Sequence, residues 1–199
     1  MAIIVEHEKR KKEILEKSME LFCKEGFDDV TFQKIADACG ITRTTLYIYF
    51  KNKHEIFNFS IKQASSIMEA KFLKIIKDPS LTAEQCLRRL SSKAVDICLA
   101  NKSLFIILVP YLLGLKKSGE NVDERIRRRT IKINHLFSLI IIRGQKSGEF
   151  KDAGIKESHE LIYSIIEDFV FRLSIMDSPD PEITKSVLNL AIDSLVIKK

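Results

Sequence analysis

Residues 31–53, TFQKIADACGITRTTLYIYFKNK, gather the side chains of this chain best suited to recognition chemistry. Arg43, Thr44, Thr45, Tyr47 and Tyr49 all carry hydrogen-bonding groups and fall within about two helical turns. On a short helix Leu46 and Phe50 share one face, and Arg43, Thr44 and Tyr47 lie largely off it, free for a partner. A helix of this kind, held after a tight turn behind another helix, can enter a DNA major groove. The chemistry implied is hydrogen bonding to a double strand. The plainer alternative is a surface helical hairpin, since threonine caps and glycine turns occur in many helical proteins.

The elements that must position these side chains are written around them. Thr31 suits an N-cap, with Val30 at N′ and Ile35 at N4 in the spacing of a hydrophobic staple. The arrangement repeats eleven residues on, with Thr42 as cap and Ile41 and Leu46 as staple. Gly40 stands where the first helix must end in a left-handed residue. Ile35, Ala36 and Cys39 point inward together. Upstream, Ile14, Leu15, Ser18, Leu21 and Phe22 recur at helical spacing within Lys9–Lys24, and Gly26 ends that helix before Phe27. Downstream, Asn52 caps a helix over Lys53–Lys77, with Glu55 completing an Asn-x-x-Glu capping box. The N-terminus of that helix, with Lys53, suits a phosphate. Three helices and the start of a long fourth make a compact head.

Gly26-Phe27, Thr31 with Ile35-Ala36 after it, Gly40-Ile41 and the run TLYIYFKNK from Thr45 to Lys53 resemble the tetracycline-repressor (TetR) family. The resemblance covers roughly residues 9–60. RGQKSGEF at 143–150 resembles the turn that often follows a long helix in these regulators. The resemblance implies that Thr31 touches a phosphate and that Gln33 reaches a base. It implies that Arg43 and Thr44 read bases. Arginine suits guanine O6 and N7, and a threonine methyl suits that of thymine. Thr45, Tyr47, Tyr49, Lys51 and Lys53 resemble phosphate or groove-edge positions, which fix register. Many relatives carry glycine at the position of Thr44, so its base assignment stays open. Tyr47 and Tyr49 have packing within the head as their alternative.

Composition bounds the remainder. With 199 residues and 45% apolar content the chain can bury a substantial core, and a net charge of +6 favours a polyanionic partner only mildly. Residues 1–62 hold 11 Lys and Arg against 10 Asp and Glu, so the head is near neutral, although residues 31–53 carry a local excess of three positive charges. The densest basic stretch is Arg125, Arg127, Arg128, Arg129 and Lys132. It reads as a solvated helix face, with attraction to DNA or anchoring of an acidic effector as alternatives. Cys23, Cys39, Cys86 and Cys98 are scattered without C-x-x-C spacing. They read as free thiols, with a redox-sensing role open for one, and the cytoplasm is the expected compartment. No signal peptide is expected, and the longest apolar run, Leu104–Leu115, is too short to cross a bilayer. His7, His54, His135 and His159 show no ligand spacing, so neither metal nor cofactor is expected.

Breaks at Asp78-Pro79, Gly119, 148–154 and 178–181 separate predicted helices over about 82–101, 103–116, 121–147, 156–176 and 181–197. The last two are apolar over more than one face. Ile162, Ile166, Val170 and Leu173 with Leu188, Ala191, Ile192 and Leu195 are the expected dimer interface, beside Leu161, Met176 and Val187. Burial of these residues inside one chain is the alternative. The middle helices offer an apolar effector pocket from Phe105, Val109, Tyr111, Leu112, Phe137 and Phe169, with Cys98, His135 and Tyr163 as its polar groups. Plain core is the alternative for each.

The expectation is therefore an all-α chain of about nine helices. A three-helix head with a helix-turn-helix (1–53) binds DNA, and a helical effector-binding and dimerisation domain (54–199) controls it. The function expected is transcription regulation by a repressor, acting as a homodimer on a palindromic operator and released by a small apolar effector. An enzyme is disfavoured, because no Ser/His/Asp grouping, phosphate loop or paired-carboxylate motif appears. A helical adaptor that has lost DNA binding remains open, given the near-neutral head.

Overall fold

The computed structural model describes residues 2–176 and 179–198, with side chains from Val5 onward. The predicted break at Ser178 therefore begins outside the described residues, and the next helix opens after it at Pro181. Among the described residues nine helices follow one another: α1 (Ala2–Glu25), α2 (Phe32–Cys39), α3 (Arg43–Tyr49), α4 (Lys53–Ile76), α5 (Ala83–Ala100), α6 (Lys102–Lys117), α7 (Val122–Lys146), α8 (Ile155–Ile175) and α9 (Pro181–Leu195). The fold class is all-α, as the sequence implied. An isolated antiparallel bridge pairs Phe150 with Val196.

Two ends depart from the sequence pattern because tertiary contacts override it. α1 begins seven residues before Lys9, and its added turns are held from outside the helix. The His7 ring, in those turns, stacks on Tyr49 at 4.6 Å. α9 stops at Leu195 because the following backbone is drawn to the turn after α7. Lys151 N–H donates to Leu195 O at 2.8 Å, and Ile197 N–H donates to Glu149 O at 2.9 Å. That turn is the one marked by RGQKSGEF, where Gly148 takes φ 72°.

The caps of the head follow the sequence closely. Thr31 accepts from Lys34 N–H at 3.2 Å and Thr42 from Thr45 N–H at 3.0 Å. Gly40 adopts the left-handed conformation (φ 65°, ψ 35°). It closes a Schellman turn in which Gly40 N–H reaches Asp37 O and Ile41 N–H reaches Ala36 O. The capping box expected at Asn52 is only half made. Asn52 accepts from Glu55 N–H, but the Glu55 carboxylate turns to Lys51 N–H at 2.5 Å rather than to Asn52. The complete box belongs to Thr82 and Gln85 at the start of α5.

The apolar interior divides into two clusters. One joins Ile14, Phe22, Phe27, Ile35, Leu46, Phe50, Ile56 and Phe57 of the head to Leu104, Ile107, Tyr111 and Leu115 of α6. The other joins Phe72 to α5, α7, α8 and α9. α4 enters both, with Phe57 in the first and Phe72 in the second, while α6 through Phe105 and α7 through Val122 also link them.

The expected dimer residues are corrected here. Ile162, Ile166, Leu173, Leu188, Ile192 and Leu195 are buried within the single chain, and Val170 and Ala191 pack against the same cluster. α8 and α9 pack against each other and against α5, and their i, i+4 stripes are used up in that packing. The apolar breadth has its other half on the outside. Leu161, Phe171, Ile175 and Met176 of the α8 region, with Ile183, Val187 and Leu190 of α9, remain exposed, Leu190 at 68%.

Candidate nucleic-acid interface and interior cavity

α3 is a seven-residue helix anchored by buried Leu46 and by Phe50 just after it. That anchoring turns Arg43 and Thr44 outward, where both are exposed. Arg43 Nη2 donates to the Tyr47 hydroxyl at 3.1 Å. Tyr47, half-exposed, also rests on Phe32 with ring centres 4.9 Å apart, so it has one face in the head and its hydroxyl outside. Thr45 is partly buried and its hydroxyl lies 2.8 Å from that of Thr42. Thr31 and Gln33 are exposed at the start of α2, and Gln33 Nε2 donates to Asp37 at 2.7 Å. Tyr49 is partly buried under His7, and Lys51 is exposed. Ile48, which the sequence reading passed over, is 70% exposed on the outer side of α3.

Lys53, expected at a phosphate, also has partners within the head. Its ammonium donates to Phe27 O at 2.7 Å and Asp28 O at 2.8 Å, and it stands 4.8 Å from the centre of the Phe27 ring. Burial holds its pKa below the ordinary lysine value. Its charge thus ties the loop between α1 and α2 to the start of α4. Gly26 and Phe27 end α1 in a way that exposes those carbonyls to the start of α4, a contact between residues 26 apart.

Behind the head lies a cavity of about 890 Å³ between α4, α5, α6, α7 and α8. Of the expected pocket residues, Cys98, Phe105, Val109, Tyr111, Leu112, Phe137 and Tyr163 line it. His135 and Phe169 do not. His135 is exposed, because Ile133, Leu136, Phe137 and Ile140 take the inward face of α7 and leave it out of phase. Phe169 is fully buried, on the α8 stripe that faces the body core rather than the cavity. Burial pushes the Cys98 thiol up to about 12, so it lines the wall as a neutral group. Tyr163 is also raised to about 12, by burial and then by the charge of Glu167.

Several lining groups escaped the sequence reading. Asn58, Asn101 and Glu167 add polar atoms, and burial together with Glu160 raises the Glu167 carboxyl. Arg125, Arg128 and Arg129 line the cavity from α7. The spacing i, i+3, i+4 was the available signal, since it sets three members of the basic stretch on one face. Arg127, Arg128 and Arg129 are all exposed, as a solvated face requires, so Arg128 and Arg129 border the cavity at its mouth, and Lys132 reaches out to Glu69 at 3.4 Å.

Tyr111 belongs to both halves. It lines the cavity, and its ring meets Phe27 and Phe57 edge-on at 4.8 and 4.7 Å within the head cluster. Its hydroxyl accepts from Asn58 Nδ2 at 3.4 Å. The four cysteines are free thiols, and among the described residues no single helix is long and apolar enough to cross a membrane.

Residues 14–58 match the family model of bacterial regulatory proteins of the tetR family. The fatty acid metabolism regulator protein of Bacillus subtilis (strain 168) is 24% identical over 159 residues, spanning 79% of this chain and 80% of that protein. Among solved structures, the transcriptional regulator FadR from Bacillus subtilis in complex with stearoyl-CoA matches with a TM-score of 0.76 at 23% identity. That match covers 92% of this chain and 98% of the other. The ketosteroid transcriptional regulator KstR2 of Mycobacterium tuberculosis matches with a TM-score of 0.72 at 17% identity over 95% and 96% of the two chains. At these identities the structural likeness is one of fold.

Proposed function

We propose that this chain, whose residues 14–58 match the tetR family model, is a transcriptional regulator of that family and acts as a ligand-responsive repressor. A homodimer binds a palindromic operator through the head, residues 1–53, and residues 54–199 bind a small apolar effector that releases it. Arg43 and Thr44 read bases. Thr31, Thr45, Tyr47 and Lys51 hold phosphates or the groove edge, while Gln33 reaches a base once it gives up Asp37. The exposed apolar face of α8 and α9, with Leu161, Ile175, Ile183, Val187 and Leu190, is the surface for a second copy. Two copies place two recognition helices about one DNA turn apart.

The observation that carries this reading is the double membership of α6. Tyr111 is at once cavity wall and head core, and Leu108 and Leu112 line the cavity from the same helix. A ligand between α6 and α8 therefore touches the helix on which Phe27 and Phe57 rest. Such a ligand shifts DNA binding only by the difference in its affinity for the two states. The FadR relative solved with stearoyl-CoA supports a long acyl chain as the apolar part of the effector. The cavity's apolar walls suit such a chain.

The test is a titration of labelled DNA from upstream of the coding region, at two salt concentrations, with and without a long-chain acyl compound. DNA binding is expected to weaken as salt rises, and the acyl compound to release the DNA. Arg43→Ala is expected to cost about 1–3 kcal/mol on the specific site and little on scrambled DNA. Equal losses on both DNAs remove Arg43 from base reading, and salt-independent binding favours the adaptor alternative.

A further inference from the structure

The basic run of α7 is the strong sequence feature that DNA recognition leaves unused. Arg125, half-buried, and Arg128 and Arg129, exposed at the rim, border the cavity, while Arg127 and Lys132 do not. Ile97, Leu108, Val109, Ile133 and Phe137 give the cavity an apolar interior, among a few polar groups such as Asn58 and Asn101. The cavity is thus amphipathic, with guanidinium groups gathered on one element. Two of these are held by carboxylates at the same edge. Arg125 pairs with Glu120 at 2.9 Å, and Arg128 pairs at 2.7 Å with Glu124, which also holds Arg127. Arg129 makes no ion pair among the described residues. Glu167 stands on the α8 wall, without an ion pair among the described residues, and repels an anion from that side.

Building on the proposed function, we propose that Arg125, Arg128 and Arg129 seat the phosphorylated head of an amphiphile whose apolar chain fills the cavity, and that the head draws Arg125 away from Glu120. A guanidinium fork binds phosphate oxygens in bidentate fashion, and a multiply charged head outcompetes one carboxylate shared with solvent. The exchange has a direct route to the head domain. Glu120 follows Gly119 at the end of α6, where its N–H donates to Leu115 O at 3.0 Å. Leu115 and Tyr111 are the α6 residues buried in the head cluster nearest that end. The chain of the ligand thus presses on the middle of α6, while its charge loosens the C-terminal anchor of the same helix. Glu167 sets the orientation, with the anionic head toward α7.

The full-length protein on labelled upstream DNA is titrated with oleoyl-CoA, oleate, oleyl alcohol and free coenzyme A. Oleoyl-CoA is expected to release DNA at a concentration about tenfold or more below oleyl alcohol, an advantage that shrinks as salt rises. Free coenzyme A is expected to release none, which separates a seated head from loose phosphate. In the Arg125→Ala/Arg129→Ala variant the advantage of oleoyl-CoA disappears while oleyl alcohol keeps its midpoint, and lysine at both positions restores part of it. Glu120→Gln lowers the oleoyl-CoA midpoint, because the competing carboxylate is gone. If oleoyl-CoA and oleyl alcohol act at equal concentrations, or the arginine variant weakens both alike, the subsite is refuted and the apolar cavity stands. If none of the compounds releases DNA that the protein binds in a salt-dependent way, the effector reading falls and takes the subsite with it.

Discussion

Replacing Lys53 separates a structural lysine from a DNA-binding one. Its ammonium makes two charge-assisted bonds, to Phe27 O at 2.7 Å and Asp28 O at 2.8 Å, and stands above the Phe27 ring. Bonds to a charged group contribute about 1.5 kcal/mol each at the low end, and the low end applies because water reaches Asp28. Lys53 is also the first residue of α4, where a positive charge opposes the helix dipole. Removing it there returns about 0.5 kcal/mol. A net loss of about 2.5 kcal/mol is expected for Lys53→Met, which keeps the aliphatic stem. For a chain of this size that lowers the melting temperature by roughly 5–10 °C. Circular dichroism melts at pH 7 measure it. A DNA titration over a salt series then reads the second quantity, since a lost phosphate contact reduces the slope by about 0.9. The expected result is a lower melting temperature with an unchanged slope. An unchanged melting temperature with a slope reduced by about one refutes the reasoning, because Lys53 is then spent on phosphate and not on the loop.

Leu190→Glu on the exposed face of α9 is expected to convert a dimer to monomer in sedimentation equilibrium with little change in the monomer's melting. Buried Leu188→Ala, two residues earlier, is instead expected to cost about 2–5 kcal/mol of folding stability, read by urea unfolding. A Cβ at Gly144 would stand 2.1 Å from the Phe150 ring, so Gly144→Ala is expected to destabilise by about 1–3 kcal/mol in the same unfolding assay. Glu149 accepts from Glu84 N–H at 2.9 Å at the start of α5. These hydrogen bonds outweigh its burial and hold its carboxyl below the usual value. A depressed folded pKa means stability present above the unfolded value, near 4.3, and lost as pH falls through the folded one. Glu149→Gln is therefore expected to cost about 0.5–1 kcal/mol at pH 7 and nothing once the carboxyl is protonated, measured by unfolding between pH 3 and 7.

The head was legible because its signals are local. A threonine cap, a staple three to five residues away and a glycine forced to φ 65° depend on neighbours within one or two turns, and all three stand where the sequence placed them. The Asn52 box was half legible for the same reason inverted, since Asn52 and Lys51 offer Glu55 adjacent N–H groups and spacing alone does not choose between them. Most of the cavity was legible too, from the apolar run of α6, but His135 and Phe169 show the limit. On a helix apolar on several sides, type says that a residue is buried and phase must say against what.

By itself, then, the sequence determined nine helices, their caps, the outward placement of Arg43 and Thr44, and the existence of two apolar faces on α8 and α9. Only the tertiary structure decided which of those faces closes the single chain and which is left at the surface. It alone turned Lys53 onto the Phe27 carbonyl, and three arginines of α7 onto a cavity. The physical reason is distance along the chain. A cap or a periodicity is settled by atoms a few residues apart, whereas the partner of a buried face or a guanidinium is brought from tens of residues away by the packing of every other helix.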